Sequence, residues 1–198
     1  DKSLEPYLKK FKMKNSSIIE VIFEDALNLK LNKLVSNKIT LIGNLPYNVA
    51  TTLIINWLKY IDAFESIVVM VQKEVADRLT AKVSSKDYGR LSVLVQLHSK
   101  IKKVLDIDPS KFHPKPKVFS SVVELIPKKK KGFNYLKIDQ TLKLCFSQRR
   151  KTLRNNIKKH DVSLEKIELI ESSGIDLNLR PQDLKIENYL KLSDILSS

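Results

Sequence analysis

Short apolar runs that alternate with helical patterns limit the folds open to this chain more than any other feature. Residues 67–71 (Ile-Val-Val-Met-Val) form an uninterrupted apolar run, which is typical of a strand covered on both faces. Residues 39–43 predict another strand, and residues 51–60 between the two carry apolar side chains at helical spacing. Such alternation predicts an α/β fold with a largely parallel sheet.

The rest of the pattern divides the chain into two unlike parts. Further strands are expected at residues 17–23, 102–107 and 119–126, and further helices at 3–11 and 73–79. Residues 88–98 fit a helix or a strand by pattern, and we favour a helix. A lysine run at residues 128–131, interpreted as a solvated linker, precedes a helical region with helices expected at 138–157, 163–171 and 186–196. The sequence therefore predicts an α/β domain at residues 1–130 and an all-helical domain at residues 131–198.

The charge of the chain indicates what it binds. A net charge of +14 over 198 residues favours a polyanion as partner, either nucleic acid or an anionic membrane surface. No apolar run reaches the length of a membrane span. The single Cys145 excludes an internal disulfide, and we expect a cytoplasmic protein. His98, His113 and His160 are scattered without metal-ligand spacing, so no metal is expected.

The turn Asn44-Leu45-Pro46-Tyr47 follows directly after the strand expected at residues 39–43. Pro46 favours extended geometry at Leu45, so the Leu45 carbonyl can point outward instead of entering a helix. Asn44 offers an amide oxygen beside it, and Tyr47 offers a flat face. Two acceptors and an aromatic plane suit a planar substrate with an amino group, such as adenine. The four residues alone also fit an ordinary strand-to-helix turn.

Two more groups are expected near this turn. Asp25 follows the strand expected at residues 17–23, and ligands of parallel sheets bind beyond the carboxyl ends of the strands. Phe112 lies on a loop stiffened by three prolines, which would fix it as a stacking group. A phenylalanine that only covers the end of the sheet remains an alternative. Asp25 and Asn44 at one sheet edge favour a functional site.

Residues 148–159 hold six basic residues and no acidic residue. On one helix, Arg150, Arg154 and Lys158 would share a face, because they are four residues apart. Like charges at this spacing repel each other, which favours an anionic partner, although cations also stabilise the C-terminal end of a helix. We therefore expect phosphate contacts here and a salt-sensitive affinity.

Five motifs occur in one order: residues 43–48 (Gly-Asn-Leu-Pro-Tyr-Asn), 72–79 (Gln-Lys-Glu-Val-Ala-Asp-Arg-Leu), 88–92 (Tyr-Gly-Arg-Leu-Ser), 112–118 (Phe-His-Pro-Lys-Pro-Lys-Val) and 146–155 (Phe-Ser-Gln-Arg-Arg-Lys-Thr-Leu-Arg-Asn). Together they resemble the KsgA/RsmA family of small-subunit rRNA adenine dimethyltransferases, over almost the whole chain. The resemblance implies a Rossmann-like methyltransferase fold and S-adenosylmethionine as methyl donor. It also implies dimethylation of N6 on two adjacent adenines in an rRNA hairpin.

The resemblance also implies roles for individual residues. It assigns orientation and stacking of the adenine to Asn44, Leu45, Pro46, Tyr47 and Phe112. It assigns the cofactor to Asp25, Ala26 and Asn44, and the rRNA phosphates to Arg149, Arg150, Lys151, Arg154 and Lys158. The implied partner is the immature small ribosomal subunit, bound by a monomer.

One departure from the family pattern concerns the cofactor. The Gly-rich cofactor loop of the family precedes the strand expected at residues 17–23, and this sequence does not contain it. We therefore expect an incomplete Rossmann-like sheet and weak or absent cofactor binding by the chain as given. Two alternatives remain open: a non-catalytic RNA-binding module of ribosome assembly, and an Erm-like methyltransferase of large-subunit rRNA. A DNA-binding transcription factor is a weaker interpretation, because no recognition-helix signature is present.

Overall fold

A computed structural model describes residues 2–14, 19–29, 37–129 and 132–198. Within these ranges the chain forms one four-stranded sheet, in the order β1-β2-β4-β3. Its strands are β1 (Ile39–Asn44), β2 (Phe64–Gln72), β3 (Ser99–Ile107) and β4 (Ser120–Pro127). The strands expected at residues 39–43, 67–71, 102–107 and 119–126 are confirmed.

The expectation of a largely parallel sheet is wrong for the part of the sheet that the structure describes. Only the β1–β2 pair is parallel there, whereas β4 runs antiparallel to both β2 and β3. β3 and β4 follow each other along the chain and pair directly, and a connection that returns at the same end of the sheet makes a pair antiparallel. The apolar run at 67–71 therefore marks a central strand between two neighbours.

Four helices accompany the sheet in the first part of the chain: α1 (Glu5–Lys14), α2 (Ala50–Leu58), α3 (Lys73–Leu79) and α4 (Arg90–His98). α2 follows the end of β1 and buries Leu53, Ile54 and Trp57. α3 begins directly at the end of β2, as the sequence predicts. The segment expected at 88–98 is helical from Arg90 onward.

The strand expected at residues 17–23 is wrong over residues 19–23, which are irregular, while residues 17 and 18 lie outside the described ranges. Ile22 and Phe23 are exposed. A β-branched run forms a strand only where a neighbouring strand supplies hydrogen bonds, and no described strand pairs with these residues. Asp25 consequently does not follow a strand.

The second part of the chain is helical, with α5 (Tyr135–Cys145), α6 (Leu153–Lys158), α7 (Leu164–Ser172) and α8 (Ile186–Ser197). The helix expected from 138 to 157 is divided into α5 and α6 by a turn at residues 146–151. Thr152 causes this division, because its side chain caps a new helix by accepting a hydrogen bond from the Asn155 N–H. Ser163 caps α7 in the same way, as predicted.

The helical part packs directly against the α/β part. Arg90 of α4 forms an ion pair with Asp139 of α5, with 2.5 Å between the nitrogen and the oxygen. The buried Tyr88 hydroxyl donates to the Leu184 carbonyl over 3.4 Å, and burial raises its pKa. One apolar core runs through both parts. The division into domains at residues 130 and 131 stays a prediction, since those two residues lie outside the described ranges.

No helix in the described part of the chain is long and apolar enough to cross a membrane.

Candidate active site

The turn at the end of β1 is held from both sides. The Leu45 N–H donates to the Met70 carbonyl of β2 over 3.3 Å, and the Leu45 side chain is buried. The Pro46 carbonyl accepts from the Ala50 N–H over 3.0 Å, which begins α2. Gly43 leaves room for this arrangement, because a Cβ there would lie 3.0 Å from the Leu45 side chain. The backbone around Leu45 is therefore fixed by the sheet and the helix together.

Two hydrogen-bond acceptors remain open at this turn. Neither the Leu45 carbonyl nor the Asn44 side chain accepts a hydrogen bond from any described residue. The Asn44 residue is exposed at the carboxyl end of β1. Both oxygens are thus available to a donor from outside the protein, and an amino group offers two such hydrogens.

Tyr47 is oriented by a residue that sequence reasoning did not single out. Its hydroxyl lies 2.6 Å from Ser120 Oγ, at the first position of β4. Ser120 is fully buried, whereas Tyr47 is half-buried. The hydrogen bond therefore holds the phenol group at the sheet and leaves a ring face toward the turn. The 73 residues that separate the two partners explain why no local pattern predicts the contact.

A cavity of about 320 Å³ brings together all five residues that the sequence assigns to the substrate. We call it the Asn44 pocket; it is lined by Asn44, Leu45, Pro46, Tyr47, Phe112, Pro114 and Pro116. Phe112 follows a short 3₁₀ helix that Asp108 caps by accepting from the Ser110 N–H over 2.8 Å. Phe112 thus faces the pocket opposite the turn. Pro114 and Pro116, predicted only to stiffen the loop, form part of the wall.

The cofactor residues from the sequence are not brought to this pocket. The Asp25 carboxylate accepts a hydrogen bond from the Leu27 N–H over 2.9 Å, which closes a local turn. Ala26 lines a different cavity together with Trp57 and Tyr60 at the end of α2. Since Asn44 precedes α2 and that cavity follows it, the two sites lie at opposite ends of the helix. Among the described residues, Ala26 and Asn44 thus line different cavities, and the cofactor roles of Asp25, Ala26 and Asn44 stay a prediction.

The five predicted phosphate contacts have different surroundings. Arg149 Nη2 donates to the Lys86 carbonyl and, over 3.2 Å, to the Tyr88 carbonyl. Arg154 pairs with Glu171 of α7. Arg150, Lys151 and Lys158 are exposed, and none of them forms an ion pair with a described residue. The helical face expected for Arg150, Arg154 and Lys158 is wrong, because Arg150 lies in the turn before α6.

The turn that carries these arginines is organised by Asn156 of α6, which is fully buried. Its side-chain oxygen accepts from the Gln148 N–H and from the Ser147 hydroxyl, each over 2.8 Å. Its amide nitrogen donates to the carbonyls of Gln148 and Thr152, each over 3.1 Å. We call residues 148–151 the basic turn. Every hydrogen-bonding group of one buried amide is thus used to fix the path of this turn.

Comparison with known proteins decides the family. The sequence profile of the ribosomal RNA adenine dimethylases matches residues 1–198. The chain belongs to this family. The ribosomal RNA small subunit methyltransferase A of Ehrlichia chaffeensis is 44% identical over 180 residues, which cover 90% of this chain and 68% of that relative. Its counterpart in Ehrlichia canis is 41% identical over 196 residues, which cover 98% of this chain and 74% of the relative.

Solved structures agree with the family. The crystal structure of a dimethyladenosine transferase from Plasmodium falciparum matches with a TM-score of 0.82 at 29% identity, over 97% of this chain and 78% of that chain. The 23S rRNA methyltransferase ErmE matches with a TM-score of 0.65 at 21% identity, over 96% of this chain and 78% of that chain, a likeness of fold alone. The predicted family, the methyltransferase fold and the class of rRNA adenine dimethyltransferase are confirmed.

Proposed function

We propose that the protein dimethylates the exocyclic N6 of two adjacent adenines in a hairpin of small-subunit rRNA, during maturation of that subunit. S-adenosylmethionine is the proposed methyl donor, and it supplies an electrophilic methyl group. Membership of the ribosomal RNA adenine dimethylase family supports the reaction. The relatives named ribosomal RNA small subunit methyltransferase A support the choice of subunit.

The observation that carries the proposal is the pair of open acceptors in the Asn44 pocket. The Asn44 side-chain oxygen and the Leu45 carbonyl would each accept one hydrogen of the adenine amino group. An amino group held by both hydrogens has its nitrogen lone pair turned out of the base plane. The gain is mainly one of orientation, because the attacking amine is neutral and needs no strong base beforehand.

The aromatic groups of the pocket would hold the base while this happens. Tyr47 and Phe112 line the same cavity and offer ring faces to a base taken out of its stack. The nitrogen releases one proton to solvent for each methyl group that it gains. After the first transfer the amine therefore keeps one N–H, and one of the two acceptors loses its partner. The second transfer therefore depends more on stacking than the first. A pocket open to solvent on one side also leaves space for the first methyl group.

Contact with the rRNA backbone is proposed for the exposed cations Arg150, Lys151 and Lys158. Arg149 and Arg154 already have protein partners, so we assign them to bracing the helical part. Arg150 and Lys151 precede α6 and Lys158 ends it, and these exposed cations belong to a chain of net charge +14. This narrows the original set of five phosphate contacts to three.

The proposal is tested by Asn44→Ala in the protein, with immature small subunits as substrate. We expect methyl transfer to fall at least about 100-fold, because misorientation of a reacting group has costs of this size. Binding of the subunit should remain within about threefold. The matched control is Asn48→Ala, an exposed asparagine of the same turn that does not line the pocket.

Three results would contradict the proposal, each in a different way. Transfer retained by Asn44→Ala would remove the role of the acceptors. Subunit binding without any transfer by the unaltered protein would favour the non-catalytic assembly module. Incorporation of methyl groups into large-subunit rRNA instead would favour the Erm-like alternative.

A further inference from the structure

A further cavity, of about 490 Å³, adjoins the loop that lines the Asn44 pocket, because its lining residue Lys117 directly follows Pro116. We call it the bridging cleft; it is lined by Gln72, Lys73, Glu74, Asp77, Lys86, Asp87, Lys117, Val118 and Phe119. The Lys73 N–H donates to the Phe119 carbonyl over 2.9 Å, and Gln72 is paired with Ser120 across the sheet. The Ser120 hydroxyl contacts Tyr47, whereas Phe119, the residue before it, lines the cleft.

One wall of the cleft is in contact with the basic turn. Lys86 and Asp87 form that wall. Arg149 of the basic turn donates to the Lys86 carbonyl, which fixes the two segments side by side. The cleft therefore lies between the Asn44 pocket and the exposed cations Arg150 and Lys151. A strand of RNA that reaches from one to the other would cross it.

The acidic residues of the cleft are largely neutralised by partners of their own. Glu74 pairs with Arg78, and Asp77 is shared by Lys73 and Lys103, over 3.4 and 3.2 Å. Asp106 completes the group, and a hydrogen bond from the Ser121 hydroxyl holds the pKa of its carboxyl below the usual value. The ionised Asp106 forms ion pairs with Lys73 and Lys103, so these two lysines face two carboxylates, Asp77 and Asp106.

Apart from these ion pairs, the surface of the cleft is positively charged and partly apolar. Lys86 and Lys117 form no ion pair with a described residue, and they outnumber the remaining acid, Asp87. Phe119 is 47% exposed and Val118 is 42% exposed. An exposed phenylalanine between lysines is the combination with which proteins bind single-stranded RNA, because the ring stacks on a base and the lysines contact phosphates.

We propose that the bridging cleft binds the nucleotide next to the two target adenines, with its base stacked on Phe119 and its phosphates at Lys117 and Lys86. This rests on the proposed function, since it takes rRNA as the substrate of the Asn44 pocket. The cleft would keep the neighbouring base out of its stack while an adenine occupies the pocket. It thereby adds a recognition element for single-stranded RNA directly beside the target.

The test uses a synthetic RNA hairpin whose loop carries two adjacent adenines, and two derivatives with an abasic nucleotide on the 5′ or the 3′ side of them. Affinities are measured by fluorescence anisotropy with the 198-residue chain. For the unaltered protein, removal of the base on one of the two sides should weaken binding about 5- to 150-fold, the range for one stacked base. For Phe119→Ala the same removal should have no effect.

Controls separate stacking from damage to the fold. Phe119→Leu keeps an apolar side chain and should still lose the effect of the base, because it lacks a ring. Leu169→Ala removes an equally exposed apolar side chain on α7 and should behave like the unaltered protein. Circular dichroism melting checks that each variant is folded.

Two results would overturn the proposal. In the first, removal of the base on either side leaves the affinity of the unaltered protein unchanged. In the second, removal of the base weakens binding by Phe119→Ala by the same factor as binding by the unaltered protein. Failure of the proposed function looks different: Asn44→Ala would retain methyl transfer while the effect of Phe119 on the abasic hairpins persists.

Discussion

Loss of the hydrogen bond between Tyr47 and Ser120 should destabilise the protein by different amounts in the two single variants, because the two residues differ in burial. Ser120→Ala removes the bond but leaves the Tyr47 hydroxyl half-buried, where water can replace the lost partner. We expect it to lower the free energy of unfolding by about 0.5–1.5 kcal/mol. Tyr47→Phe leaves the fully buried Ser120 hydroxyl without a partner. That variant should lose about 1–3 kcal/mol, although it changes the more exposed residue.

Urea unfolding of the two single variants and of the double variant measures both the asymmetry and the coupling. The double variant should be more stable than the sum of the single losses predicts, because it leaves no buried hydroxyl unpaired. Quenching of 2-aminopurine in an RNA hairpin reports whether the Tyr47 ring still stacks. Tyr60→Phe, on an exposed tyrosine, is the control and should change stability by less than about 0.5 kcal/mol. Equal losses, or strictly additive ones, would refute the reasoning.

Two further predictions concern the arginines. Arg149→Ala should lower the free energy of unfolding by about 0.5–1.5 kcal/mol in urea, because the Lys86 and Tyr88 carbonyls lose their donor at exposed and part-buried contacts, where water can replace it. Arg149→Lys should not restore the lost stability, since one ammonium group cannot reproduce the fork of the guanidinium group. Arg150→Ala combined with Lys151→Ala should leave stability unchanged and reduce the slope of log affinity for rRNA against log salt by about 1 to 2. The control Lys185→Ala should leave this slope unchanged. An unchanged slope in the double variant would contradict the proposed phosphate contacts.

Local patterns predicted most elements of this fold. The apolar runs at residues 39–43 and 67–71 and the capping residue Ser163 act within a few residues, so the sequence reveals them directly. The order and direction of the strands depend on which strands meet, and that is set by packing across the whole sheet. For this reason β4 between β2 and β3 was not expected.

The candidate site shows the same division. Asn44, Leu45, Pro46 and Tyr47 are contiguous, and Phe112 is marked by its prolines, so the sequence identified the residues of the pocket. Ser120 and the two carbonyls that Arg149 binds lie far away along the chain and carry no distinctive local signal. A serine and backbone oxygens acquire their roles only from the contacts that folding creates. The contacts of Arg149 with those two carbonyls therefore have no counterpart in the sequence pattern, which predicts only that Arg149 contacts RNA.

The buried amide of Asn156 has a consequence for the thermodynamics of recognition. Because its four hydrogen bonds fix residues 147–152 before any partner arrives, Arg150 and Lys151 already stand on a backbone of defined shape. A loop that becomes ordered only in the complex would lose conformational entropy at that moment and weaken association. Here that loss has already occurred during folding. Affinity for the rRNA backbone is therefore set in part by a residue that no nucleotide touches.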